Sequence, residues 1–477
     1  SPNEARSPSV RLALSRGADS LETPRETAPE SMRTPSKAQL ARVVLALGLF
    51  LSGAAQAQEN VLVLIADDVG VDRVGCYEEH PAPGDTPNID RLAQNGVLFR
   101  NAWSSPLCSP TRAGVLTGRY GFRTGIGTII GPSHDVALDP AEWILPELLA
   151  HSPFGPYENV ALGKWHLGND AYGPGHPILT GFSRHIGSER NIEDYYQWPK
   201  NINGNVQRTT SYATTDTVDD ALRAMRSLPE PWFIWVAFNA PHKPFHVPPA
   251  ELHTQSLYGH PDDTPVEHMK AATEAMDTEL GRLFDGMDAE LQENTTIFFF
   301  GDNGTMDEAV DAPFDPTRAK ASVFEGGVNV PLIITGPRVA EPGSECEGLV
   351  SLTDLFLSIT EIGGVDVDSV LPTGTQLDSV SLLPYLSDPD QPSLREWVYA
   401  ERFNPNGPGP HPYYHRAVRN QRYKLIRKLL TGIESELFYD LDSDPFELNN
   451  LIGQPVTSEE RQAYLELSIT LENISGP

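Results

Sequence analysis

At 477 residues the chain is long enough for one large domain and a smaller one, and 65 acidic against 35 basic side chains leave a formal charge of -30. That balance argues against nucleic acid or an anionic membrane surface as a partner, and makes a long polyanion an awkward ligand for the surface as a whole. Any anion must be held by local positive charge in a pocket.

The first stretch reads as processing. Residues 1–31 are polar and rich in Pro, Ser, Arg and Glu, and are expected to be an upstream extension with no fold of its own. Met32 opens a region with Arg33, Lys37 and Arg42, followed by an apolar run over 43–51 and the small-residue site Ala55-Gln56-Ala57. Residues 32–57 are therefore expected to be a signal peptide. The apolar run is too short to cross a bilayer, so no stable membrane anchor is expected and the mature chain is periplasmic or secreted. Only Cys76, Cys108 and Cys346 are present, so no disulfide scaffold is expected. A Cys76–Cys346 bridge stays open beside the favoured reading, two free buried thiols.

Apolar runs of strand length follow at 61–65, 159–162, 232–238, 296–300 and 331–335. Continuous rather than alternating hydrophobicity marks strands buried on both faces. Amphipathic helical stretches lie between and around them at about 86–95, 110–118, 141–150, 214–228, 265–291 and 351–362. The pattern predicts an α/β domain over 58–390: a large mixed, mainly parallel sheet sandwiched by helices. Past about residue 390 short strands at 396–401, 416–419, 423–427 and 436–441 precede a helix near 457–472. Residues 391–477 are expected to form a small antiparallel α+β subdomain. The Pro/Gly loop from Asn404 to Pro412 is long enough for a functional role, with a plain connector equally compatible.

The chemistry collects at strand ends. Strand 61–65 runs into Asp67-Asp68, and strand 296–300 into Asp302-Asn303-Gly304. Adjacent carboxylates inside a strand point to opposite faces, but where the backbone turns both can converge. Like charges so close repel unless a cation lies between them, and hard oxygens suit Ca²⁺ or Mg²⁺ rather than zinc. Gly163-Lys164-Trp165-His166 follows the second strand, and Pro241-His242-Lys243-Pro244 the third. Ligand crevices of open α/β sheets lie outside the carboxyl ends of the strands, so these groups can share one site. Lys320 precedes the pair Gly326-Gly327, which can bend that segment back into the crevice. Cys108-Ser109-Pro110-Thr111-Arg112 places a thiol before a Pro suited to the first helical position and an Arg one turn on, an arrangement fit to receive an anion. Taken singly, each motif has a plain structural explanation.

As a set they resemble the type I, formylglycine-dependent sulfatases. The shared motifs are Cys-x-Pro-x-Arg with Leu116-Thr117-Gly118, Gly-Lys-Trp-His-Leu-Gly, Asp-Asp, Asp-Asn-Gly, Pro-His-x-Pro and Lys…Glu-Gly-Gly, in that family's order and spanning about 60–450 with the tail Leu437 to Glu447. The resemblance implies an alkaline-phosphatase-like fold and hydrolysis of sulfate monoesters of an aryl sulfate or sulfated carbohydrate. It implies that a maturation enzyme oxidises Cys108 to formylglycine, whose hydrated aldehyde is the nucleophile. It implies that Asp67, Asp68, Asp302, Asn303 and residue 108 bind one divalent cation, most often Ca²⁺. Arg112 and His166 would hold the aldehyde hydrate, with His166 the base that discharges sulfate. Lys164, His242 and Lys320 would bind sulfate oxygens, and His242 or Lys320 would protonate the leaving oxygen.

Asn329 stands where the family often has a basic residue. Substrate contacts are sought over 169–215, at Arg184, His185, Glu193, Asp194 and Tyr195. A phosphonate or phosphate ester hydrolase of the same superfamily uses the same groups, and a catalytically silent binder of sulfated ligands is a third reading.

Overall fold

The structure, a computed structural model, describes residues 59–134 and 136–474. The proposed extension and signal peptide lie outside the described residues. Ten strands form one sheet: β1 (Asn60–Ala66), β2 (Gly96–Trp103), β3 (Glu158–Gly163), β4 (His185–Gly187), β5 (Trp198–Ile202), β6 (Asn205–Thr209), β7 (Trp232–Ala237), β8 (Thr295–Gly301), β9 (Leu332–Thr335) and β10 (Ser344–Ser351). Their order is β10-β2-β9-β8-β1-β7-β3-β4-β5-β6. β8, β1, β7, β3 and β4 run parallel, in register from Val61 opposite Phe233 and Thr296 onward. β9 and β5 are antiparallel to their neighbours. The sheet is mixed and mainly parallel, as the hydrophobic pattern predicts.

Alternate residues of the central strands feed two separate cores, which is why their apolar runs are continuous. Val61, Val63, Ile65, Phe233, Trp235 and Phe298 pack on one face with the helices Cys108–Thr117, Leu145–Leu149 and Asp354–Ile362. Leu62, Leu64, Trp232, Ile234 and Phe299 pack on the other with Pro87–Gln94, Ala213–Ser227 and Pro265–Asp285. Each fully buried Leu, Ile or Phe contributes about 1.5–3 kcal/mol relative to exposure. The expected helix 265–291 stops at Gly286 and resumes as Ala289–Glu293, and 141–150 shortens to a turn starting at Leu145.

The sequence pattern did not reveal β2 and β10. Arg100 and Asn101 interrupt β2, while β10 is an edge strand carrying Glu345 and Glu347, charges that discourage further pairing. The helix Cys108–Thr117 is buried along its whole length and ends at Gly118 with φ 68°, whose N–H reaches the Gly114 carbonyl at 2.8 Å. A Cβ at Gly118 would sit 2.7 Å from the Phe356 ring, so the Leu-Thr-Gly ending is both a left-handed cap and a close approach.

A four-stranded antiparallel sheet follows: β11 (Val398–Asn404), β12 (Tyr413–Arg419), β13 (Tyr423–Leu430) and β14 (Ile433–Asp440). One face (Val398, Ala400, Ala417, Ile426) packs on Trp103 at the end of β2 and on Val323 and Phe324 of the loop before Glu325. The other (Tyr399, Val418, Leu425, Phe438) is covered by Ala463, Leu467 and Leu471 of the helix Ser458–Ile474. Cys76, Cys108 and Cys346 are all free.

Candidate active site

Four adjacent strands, β8-β1-β7-β3, deliver their carboxyl ends to one place. Asp67 and Asp68 follow β1 directly, and Asp68 takes φ 72°. That left-handed residue reverses the alternation of the strand, so neighbouring carboxylates converge. Asp68 N–H donates to Asp302 Oδ1 at 3.2 Å, and Asn303 Nδ2 to Asp68 Oδ1 at 2.7 Å, locking the β8 turn to the β1 turn. At Gly304 a Cβ would lie 1.9 Å from the Gly326 carbonyl, so this glycine lets the Asp302-Asn303 turn touch the Glu-Gly-Gly segment.

Cys108 is the first residue of its helix, and Pro110 sits third rather than first as the sequence suggests. Its Sγ lies 3.4 Å from Asp67 Oδ1 and 3.6 Å from Lys164 Nζ. Burial, then the Asp302 charge, push the thiol well above its ordinary value, although Lys164 and Lys320 pull the other way. The unmodified side chain is thus a neutral thiol, not a thiolate.

Arg112 is fully buried; its Nε and Nη2 donate to Asp302 Oδ2 at 2.9 and 2.7 Å, and Nη1 to the Lys164 carbonyl at 2.6 Å. It braces a carboxylate and a loop, and is no open anion receptor. Lys164 pairs with Asp67, and Lys320 with Asp68. His242 Nε2 stands 3.6 Å from Asp68 Oδ2, and its Nδ1 donates to the Lys243 carbonyl at 2.6 Å. Burial takes this imidazole down to about 3, Asp68 opposing and Lys320 and Lys164 reinforcing the shift. His166, at φ 60°, is held well below the usual range by burial, Lys164 and Arg112, and its Nδ1 has no hydrogen-bond partner.

Desolvation raises both Asp68 and Asp302. It is outweighed at Asp68 by Lys320, His242 and Lys164, which hold that carboxyl well below the carboxylate range. At Asp302 the Asp67 charge adds to the rise, and Arg112 only partly offsets it. Asp68 Oδ2 and Asn303 Oδ1 are buried without hydrogen-bond partners. One atom each from Asp67, Asp68, Cys108 and Asp302 lies within 4.8 Å of the others. Buried oxygens with nothing to bind, beside mutually repelling carboxylates, fit a hard divalent cation.

The sought contacts over 169–215 are mostly elsewhere. Arg184, Glu193 and Asp194 are exposed, with Asp194 capping the Tyr196 and Gln197 N–H groups. His185 is buried against Trp165. Tyr195 is buried and donates to the carbonyls of Asn239 at 2.5 Å and His242 at 2.7 Å, so it supports the His242 turn from below. Two residues went unrecognised. Exposed Asn191 places Nδ2 3.2 Å from His242 Nε2. Ser109 Oγ donates to the His166 carbonyl at 2.8 Å and accepts from Ile130 N–H at 3.0 Å. Its position after Cys108 was the available signal. Asn329 binds the Arg100 carbonyl and pairs with Trp103, and takes no part in the cluster.

A buried clamp holds the Lys320–Gly327 segment. Lys424 Nζ sits 2.9 Å from both Glu325 Oε1 and Glu447 Oε1 and 4.6 Å from the Trp103 ring centre. Glu447 accepts the Glu325 N–H at 2.6 Å, and Arg419 meets Glu325 at 3.0 Å.

The family model described as Sulfatase matches residues 59–365. The chain belongs to the sulfatase family. A second model, described as the C-terminal part of N-sulphoglucosamine sulphohydrolase, matches residues 317–473 of this sulfatase. N-acetylgalactosamine-6-sulfatase of Sus scrofa is 30% identical over 380 residues, covering 72% of this chain and 68% of that protein. An ulvan-active sulfatase of Formosa agariphila is 25% identical over 441 residues, covering 85% and 78%. Among solved structures, i-CgsB in complex with a neocarrahexaose superposes with TM-score 0.72 at 23% identity, covering 88% of this chain and 93% of that one. A protein solved with its substrate D-glucosamine-2-N,6-O-disulfate gives 0.69 at 20% identity, covering 88% and 97%. The fold is that of these two solved structures; the sulfatase family lies within the alkaline phosphatase superfamily, and the protein is a sulfuric ester hydrolase. Among the described residues no helix is long and apolar enough to cross a membrane.

Proposed function

We propose that this sulfatase cleaves sulfate monoesters of a saccharide, with aryl sulfates as artificial substrates, through a nucleophile made from Cys108 and with one divalent cation. The observation that carries the reading is the buried Cys108 Sγ set among Asp67, Asp68 and Asp302 with Lys164 at its side. Asp67, Asp68, Asp302, Asn303 and residue 108 would hold the cation, Ca²⁺ by donor type with Mg²⁺ as the alternative, and it would supply Lewis acidity toward a sulfate oxygen. A neutral buried thiol is a poor nucleophile. In the proposed reading a maturation enzyme, using an external two-electron oxidant such as dioxygen, converts Cys108 to formylglycine with loss of its sulfur as sulfide; water adds to the aldehyde, and the hydrate supplies the attacking hydroxyl.

The remaining work falls to the chain's own side chains. Lys164 and Lys320 hold sulfate oxygens in a water-poor site, where fixed charge acts strongly. Lys320 gives a proton to the leaving oxygen, or His242 does once a bound sulfate offsets the Lys320 and Lys164 charges that add to burial in keeping it neutral, while His166, neutral beside the nucleophile, accepts one. Arg112 keeps Asp302 oriented, and Asn191 and Tyr195 keep His242 in place. The reading includes export through residues 32–57. Matched sulfate and phosphonate esters of one leaving group test it: faster sulfate turnover supports the proposal, and faster phosphonate turnover overturns it in favour of the alternative hydrolase.

A further inference from the structure

The small sheet carries a rung of two cations flanking an imidazole. Arg402 on β11 pairs directly with His415 on β12, and His415 with Lys428 on β13. Elsewhere on these strands cations are neutralised: Arg419 and Lys424 meet Glu325 at 3.0 and 2.9 Å, and Arg427 meets Glu436 at 2.8 Å. Among the described residues, Arg402, His415 and Lys428 have no carboxylate within 4.0 Å. All three are half-buried, and Arg402 Nε is buried without a hydrogen-bond partner. The rung adjoins the active site, because Arg402 donates to the carbonyl of Ala321, the residue after Lys320. Lys428 Nζ lies 4.5 Å from the Phe324 ring centre in the same segment. Tyr413 stiffens the arrangement: its ring lies 4.2 Å from His415 and 5.1 Å from the Arg402 guanidinium, and its hydroxyl meets His415 Nδ1 at 2.9 Å. The Glu447 charge reaches Lys428 but is already paired with Lys424, so among the described residues the rung has no ion-pair partner of its own, and beside a sulfate site the substrate itself can bring one.

We propose that Arg402, His415 and Lys428 form a subsite for a second anionic group on the substrate, a carboxylate or a further sulfate on the same or the neighbouring sugar. The inference rests on the sulfate ester reading above and narrows its substrate to a short saccharide bearing at least two acidic groups. Burial together with Lys428 and Arg402 keeps His415 down to about 4, so it serves as a neutral hydrogen-bonding group between two cations. The Asn404–Tyr413 connection, ending beside the rung, is then a wall of this subsite.

The test uses the matured, cation-loaded enzyme and three matched disaccharide sulfates whose neighbouring sugar is neutral, carries a carboxylate, or carries a second sulfate. The wild type should favour at least one dianionic substrate about tenfold in kcat/KM, and the arm with the larger gain identifies the anion. Lys428→Gln should abolish that preference mainly through KM, and Lys428→Arg should restore it. Equal kcat/KM for all three substrates, or a preference untouched by Lys428→Gln, overturns the subsite while leaving sulfate hydrolysis standing. If none of the three and no aryl sulfate is cleaved, the sulfate ester reading itself fails.

Discussion

Lys424→Met removes the ammonium that separates Glu325 and Glu447, and its cost can be worked from the surroundings. Lys424 is fully buried, as is Glu447, and burial with the Glu325 charge already raises Glu447 to about 6 while Lys424 is present. Taking away one partner of a buried pair costs about 3–5 kcal/mol. The loss has a ceiling, because Glu447 can take up a proton instead of remaining an unpaired anion. That ceiling is the cost of protonating Glu447 from its folded value of about 6, roughly 1.4 kcal/mol per pH unit above it. The penalty is therefore about 2 kcal/mol near pH 7.5 and close to nil near pH 5. The sign follows from linkage: the folded variant binds a proton that the unfolded chain releases, so its stability falls as pH rises above 4.5. Urea unfolding of wild type and variant at the two pH values measures it. Adding Glu447→Gln to Lys424→Met should recover most of the loss at the higher pH. Equal losses at both pH values would show that the clamp is held by packing and that the charge argument is wrong.

Tyr195→Phe should leave the carbonyls of Asn239 and His242 without their buried donor, costing about 1–3 kcal/mol and lowering kcat more than KM as the His242 turn loosens; unchanged kcat would refute its supporting role. Glu401 is raised to about 7 by burial despite donation from Tyr414, Phe122 N–H and Tyr399, so the folded state holds its proton longer than the unfolded state. Wild-type stability should fall between about pH 4.5 and 7 by a component that Glu401→Gln removes, and parallel pH–stability curves would contradict this. Asp302→Ala should weaken cation binding and strand the Arg112 guanidinium, so excess cation restores activity only in part; full recovery would mean that Asp302 acts only as a ligand.

What the sequence reveals follows from the kind of pattern each element carries. β1, β7, β3 and β8 are buried on both faces, and their apolar runs are readable without partners. The direction of β9 was not readable, because an apolar run does not say which way it lies. β10 hides behind Glu345 and Glu347, whose polarity suits an open edge, and β2 behind Arg100 and Asn101, which bond across to those two side chains. At the site, residue types and strand-end positions were enough to gather Asp67, Asp68, Asp302 and Asn303 with Lys164, His242 and Lys320. The left-handed turns at Asp68, His166 and Ala321 that aim them carry no sequence signal, since none is a glycine. Arg112 shows the limit most plainly. Helical spacing put it beside Cys108, but only the fold shows its guanidinium spent on Asp302. Asn191 and the Arg402-His415-Lys428 rung arise from loop and strand pairings that local spacing does not encode.

In the proposed mechanism this sulfatase works through residue 108 after its thiol has become an aldehyde. The most direct test is the mass of the peptide containing residue 108, taken from enzyme made beside a maturation activity and compared with sulfate release by the same preparations. Sulfate release should rise in proportion to the aldehyde fraction and vanish in Cys108→Ala. Full activity from protein whose residue 108 is entirely thiol would contradict that mechanism.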